Sequence, residues 1–105
     1  MKMIRAIIRP EKESVVTTAL AKVGFPALTK WEVIGRGKQQ GIQLGNQVYE
    51  GLAKCLLMVV VHDDRMEEAM RTIEKSAFSG NPGDGKIFVT QVEKVYTVRT
   101  GKAEL

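Results

Sequence analysis

The hydrophobic positions change their period several times along the chain, and each change marks an element. Met3 to Arg9 reads MIRAIIR, a short β-rich run stopped by Pro10. From Glu11 the period becomes helical: Val15, Val16, Ala19, Leu20 and Val23 fall on one face, with Glu11 and Glu13 in the first turn, where acids suit the helix dipole. Gly24 then predicts the stop. Leu28 to Ile34 predicts a second strand. Gly35 to Ala53 holds five glycines, several amides and no steady period, which predicts a long loop. Lys54 to Val61, KCLLMVVV, is the most apolar run and predicts a central strand. Asp63 is the expected N-cap of a second helix, in which Met66, Ala69, Met70, Ile73 and Ala77 share a face to about Phe78. Ser79-Gly80-Asn81-Pro82 stops it. Lys86 to Thr90 and Glu93 to Arg99 read as strands with a break near Gln91, and the polar tail from Thr100 is expected to fray.

The order is β-α-β, long loop, β-α-β. That doubled unit predicts an α+β, ferredoxin-like βαββαβ sandwich: four antiparallel strands with both helices on one face. The uncovered face calls for a cover, and self-association supplies one. A chain of 105 residues fits a single domain, residues 1–105, and its modest core favours assembly.

Composition adds limits. At 44% apolar and 27% charged the chain is an ordinary globular one. No apolar run reaches the length of a membrane span. The N-terminal residues enter a strand directly, so no signal peptide is expected. Cys55 stands alone in an apolar run and is expected to be a buried thiol in a reducing cytoplasm. The net charge of +4 suits a small polyanion or an acidic partner and also admits nucleic acid. The central strands, however, carry Leu, Met and Val in place of the aromatic stacking pattern of an RNA-binding sheet, so no nucleic-acid partner is expected.

The stretch with the most chemistry is Gly83-Asp84-Gly85-Lys86 before Ile87-Phe88-Val89. Glycines let successive N–H groups face one point, a concavity suited to anions, and Lys86 adds a positive charge. An ordinary turn entering a surface strand fits these residues too, and from them alone both readings stand. Gly80 to Lys86 spells the start of a Walker loop, but Ile87 occupies the Ser/Thr position and a strand follows instead of a helix. Gly35 to Gly41 nearly spells a dinucleotide fingerprint, with the third glycine one residue late. Neither motif is accepted. His62, the only histidine, has no nucleophile pattern around it, and a small phosphatase built on the Gly-Asp-Gly-Lys turn would lack a convincing base.

The segment from Ser79 to Val92 resembles in full the C-terminal signature of the PII nitrogen-regulatory proteins, S/T-x3-G-D-G-K-I-F-hydrophobic-x2-hydrophobic. Ile7-Ile8-Arg9-Pro10, Gly24 to Val33, Gly35 to Gly41 and Val98-Arg99-Thr100-Gly101 are similar to further family segments in the same order, so the resemblance covers nearly the whole chain. It implies a non-enzymatic signalling homotrimer with ATP or ADP in three clefts between subunits and 2-oxoglutarate sensed through Mg2+ on ATP. Carried onto this sequence, it implies nucleotide binding by Thr29, Gly35, Gly37, Lys38, Gly83, Asp84, Gly85, Lys86 and Arg99, the last from a neighbouring subunit. It implies 2-oxoglutarate binding by Gly37, Lys38, Gln39, Gln40, Gly41 and Lys54, with Gln39 also touching the metal. The flexible T-loop would run over about 36–53 and the tail over about 100–105.

Thr97 stands where the family usually has a further arginine, and the loop is shorter than the family's. It lacks the segment carrying the uridylylated tyrosine; Tyr49 lies instead in Asn46-Gln47-Val48-Tyr49-Glu50. These features resemble the first of the paired PII-like regulators encoded among nitrogenase genes in archaea and anaerobes. That subgroup implies a nitrogenase component as target and a second PII-like regulator as partner. An ammonium transporter or glutamine synthetase is the alternative target.

Overall fold

The computed structural model describes residues 1–36, 42–44, 47–49 and 51–105, with side chains 42–50 outside that description. Among the described residues six strands and two helices follow one another: β1 Lys2–Ile8, α1 Glu13–Lys22, β2 Thr29–Gly35, β3 Ile42–Leu44, β4 Gln47–Tyr49, β5 Leu52–Val61, α2 Met66–Ala77 and β6 Lys86–Gln91. The main sheet has four strands in the order β2-β5-β1-β6, and every pairing is antiparallel. With both helices contributing to one core on one side of this sheet, the ferredoxin-like α+β arrangement is met.

Alternation along the strands sets the two faces. Ile4, Ala6 and Ile8 of β1 and Cys55, Leu57, Val59 and Val61 of β5 are buried, as are Val16 and Leu20 of α1 and Ala69, Ile73 and Ala77 of α2. Cys55 is the buried free thiol expected, and burial pushes its pKa up. The intervening positions form a second face without a helix. In register across it lie Trp31, Leu56, Ile7 and Lys86, then Thr29, Met58, Arg5 and Phe88. Trp31 and Phe88 remain 45% and 48% exposed there.

Several sequence expectations are corrected. A 3-10 turn over Pro10–Lys12 precedes α1, which starts at Glu13, and Val15 faces outward. β2 and β5 are displaced by one or two residues, so Leu52 and Ala53 belong to β5. The stretch between β2 and β5 is not all irregular: β3 and β4 pair as a short hairpin. Asp63 is not an N-cap, because a 3-10 turn over Asp63–Arg65 intervenes before α2. Its carboxylate lies 2.9 Å from the Met1 amino nitrogen. Glu93 to Arg99 is no strand; only an isolated bridge, Thr97 to Lys102, forms there. The tail is folded back through it, with Gly101 N–H donating to Thr97 O at 2.8 Å.

Candidate anion-binding turn between α2 and β6

α2 ends where Phe78 takes an extended conformation, with φ −65° and ψ 131°. Seven residues, Ser79 to Gly85, then carry the chain to the head of β6. Gly83 and Gly85 hold φ of +99° and +104°, a region that L side chains rarely adopt. At Gly85 space excludes a side chain as well, and at Gly83 it is tight. A Cβ on Gly85 would stand 1.6 Å from the Ile7 carbonyl oxygen, and one on Gly83 would stand 3.2 Å from an Arg9 guanidinium nitrogen.

The turn is closed from inside. The Asp84 carboxylate accepts the N–H of Ser79 at 2.8 Å and of Gly80 at 2.9 Å, and also the Ser79 hydroxyl. Arg9 donates Nε to the same carboxylate at 3.0 Å and a terminal nitrogen to Pro82 O at 2.7 Å. The Ser79 hydroxyl and N–H, with Arg9 and the Gly80 N–H, hold the Asp84 carboxyl well below the usual carboxylate range. Lys54, one residue before the β1–β5 ladder begins at Cys55, donates Nζ to Gly83 O at 2.5 Å. Two cations, Arg9 just past β1 and Lys54 on β5, thus converge on successive carbonyls.

Residues 82 and 83 form a turn that closes Asn81 on Asp84, while no described acceptor takes the N–H of Gly83. Lys86 heads β6 and is exposed. A free N–H on a positive-φ glycine, beside lysines, suits a polyphosphate or carboxylate. The cleft of about 320 Å³ behind the turn is walled largely by Met70, Ile73, Phe78 and Ile87, so its lining is too apolar for that role. Among the described residues no group of three or more His, Cys, Asp or Glu could hold a metal ion. Magnesium would have to arrive with ligand oxygens of its own.

The expected site residues divide into three sets. Gly83, Asp84, Gly85, Lys86 and Lys54 come together. Thr29 and Lys86 do not: they lie on β2 and β6, the opposite edges of the sheet, roughly 14 Å apart by strand spacing. Gly35 ends β2 opposite Leu52. Arg99 lies in the turn after Thr97, and among the described residues no hydrogen bond or ion pair ties it to the Ser79–Gly85 turn. Gly37, Lys38, Gln39, Gln40 and Gly41 fall outside the described residues. Sequence reasoning did not single out Arg9 and Ser79 for the turn; their signals were an arginine ending a strand and the serine opening the glycine-rich segment.

The profile described as "Nitrogen regulatory protein P-II" matches residues 1–102. The chain belongs to the PII family. A "Nitrogen fixation nifHD region glnB-like protein 1" of Methanococcus maripaludis is 54% identical over 100 residues, covering 95% of each chain. A "Nitrogen fixation nifHD1 region GlnB-like protein 1" of Methanosarcina barkeri is 52% identical over the full length of both chains. A "Nitrogen regulatory protein P-II 2" of Methanothermobacter thermautotrophicus is 43% identical, over 98% of this chain and 93% of its own. PII proteins are signalling regulators and not enzymes, which sets aside the phosphatase. No helix among the described residues is long and apolar enough to cross a membrane.

Proposed function

We propose that this chain is a PII-type nitrogen regulator that binds ATP or ADP at the Gly83–Lys86 turn, senses 2-oxoglutarate with Mg-ATP, and controls a nitrogenase component through residues 36–53. The observation that carries this reading is the turn itself: an unengaged Gly83 N–H in a loop with positive-φ glycines, with Lys54 drawn to it and Lys86 following. The names of relatives about half identical to this chain favour nitrogenase over another nitrogen target.

The separation of Thr29 from Lys86 gives the assembly a purpose. Each sheet carries half of the residue set on each edge. A homotrimer in the cytoplasm places the β2 edge of one copy and Arg99 of another beside the Lys86 edge, completing each cleft. Gln39 supplies an amide oxygen to magnesium, Lys38 a further charge, and Lys54 and the Gly37–Gly41 segment meet the oxoacid. Ligand at the loop base selects one loop conformation, and that conformation decides whether target is bound. Effector and target are then linked reciprocally. A second PII-like chain shares the task.

Calorimetry tests this directly. Lys86→Ala lowers ATP affinity by roughly one to two orders of magnitude, the worth of a charge-assisted hydrogen bond. Gln39→Ala keeps ADP and loses 2-oxoglutarate. Unchanged ATP affinity in the first variant, or tight oxoacid binding in the second, rejects the assigned roles. Nitrogenase components should be retained by immobilised protein and released by 2-oxoglutarate with Mg-ATP; indifference to the oxoacid rejects the switch.

A further inference from the structure

We propose that Asp84 is a positioning residue, whose carboxylate shapes the turn from inside and touches neither phosphate nor metal. This rests on the nucleotide reading of the same turn. The two oxygens of the carboxylate meet four donors: the Ser79 hydroxyl, the Ser79 and Gly80 N–H groups, and Arg9 Nε. A carboxylate offers about four lone-pair sites, so these partners leave nothing for a ligand. The bonds reach back four and five residues, and back again to the end of β1 75 positions earlier, which closes the loop before any ligand arrives. With its side chain drawn inward, Asp84 leaves the Gly83 N–H to serve an anion. The ordering cost is met on folding and not on binding, which is how preorganisation raises affinity.

This reading separates Asp84 from its neighbours in the signature. Lys86 acts by charge on the ligand, whereas Asp84, itself an anion beside a polyanion site, acts through the backbone it holds. Ser79 shares the role because its hydroxyl and N–H grip the same carboxylate. A threonine keeps that hydroxyl; an alanine does not.

The test uses the full chain with ADP in EDTA and with Mg-ATP as probes, calorimetry for affinity, sedimentation for mass, and amide exchange in the ligand-free state. Asp84→Ala is expected to lose affinity for both nucleotides alike, by roughly tenfold to a hundredfold. The Ser79 and Gly80 amides should exchange faster while core amides and mass stay unchanged. Ser79→Ala shows the same pattern more weakly, and Ser79→Thr restores it, which keeps the test open if Asp84→Ala folds poorly. Loss confined to Mg-ATP makes Asp84 a metal ligand and overturns the proposal. Wild-type affinities in Asp84→Ala and Ser79→Ala overturn it too, leaving the nucleotide reading intact. Wild-type protein silent to both nucleotides removes the parent reading and this one with it.

Discussion

The two faces of the four-stranded sheet are made from the same strands and have opposite fates. On one, Ile4, Ala6, Ile8, Leu57 and Val61 sit under α1 and α2 with at most 2% exposure. On the other, Ile7, Leu56, Met58, Trp31 and Phe88 are just as apolar and meet no helix. The difference shows that one β-rich pattern can encode folding and assembly by turns. Even positions of β1 build the monomer's core, and odd positions wait for another surface. A solvent-facing antiparallel sheet normally alternates apolar with polar residues. Here apolar side chains take the larger share of that face, with Thr29, Arg5 and Lys86 set among them, which fits the trimer proposed above.

The largest expected effect comes from breaking the covered face. Leu57→Ala should cost about 2–5 kcal/mol in urea unfolding, since a fully buried leucine leaves a cavity between β5 and the helices. A loss well below that range would mean the site collapses or the core is looser than its burial indicates. Next comes the open face. Phe88→Glu should leave helix content and a cooperative melt in place while sedimentation falls to the mass of a single chain. Retained assembly would move the interface elsewhere. The smallest effect belongs to the rim of the covered face, where exposed Lys30 of β2 pairs with Glu13 of α1. That partner lowers the Glu13 pKa and raises that of Lys30. Stabilisation by Glu13 is therefore present above its ordinary pKa and fades as pH falls through the lowered one. That by Lys30 is present below its ordinary pKa and fades as pH rises through the raised one. Glu13→Gln should shift the thermal midpoint only slightly at neutral pH, and roughly molar salt should erase the shift. A large or salt-independent shift would give this exposed pair an unexpected weight.

Much of this was legible in the sequence because it is local. The helix-face spacing from Met66 to Ala77 and the stop at Gly24, with φ of +96°, need no distant partner to be recognised. Glu93 to Arg99 was misread for the opposite reason. Val95, Tyr96, Thr97 and Val98 favour strands by type, yet a strand needs a neighbour, and Val98 is 99% exposed. Asp63 satisfied the residue preference for a cap, but the intervening 3-10 turn moves the start of α2 to Met66. Family likeness pointed to Gly83–Lys86 as a group, whereas the division of labour inside the turn depends on Arg9 and Lys54, which reach it from 75 and 29 positions away. Such encounters have no signature in a single chain.

The contact between Gly85 and the Ile7 carbonyl sets one more condition. Two main chains touch there with no side chain between them, so the gap is fixed by atomic radii and drift in neighbouring residues cannot retune it. The last residues of β1 consequently serve three masters in succession: Ile7 turns to the open face, Ile8 to the interior, Arg9 to the turn. A single-residue insertion at that strand end would exchange all three at once.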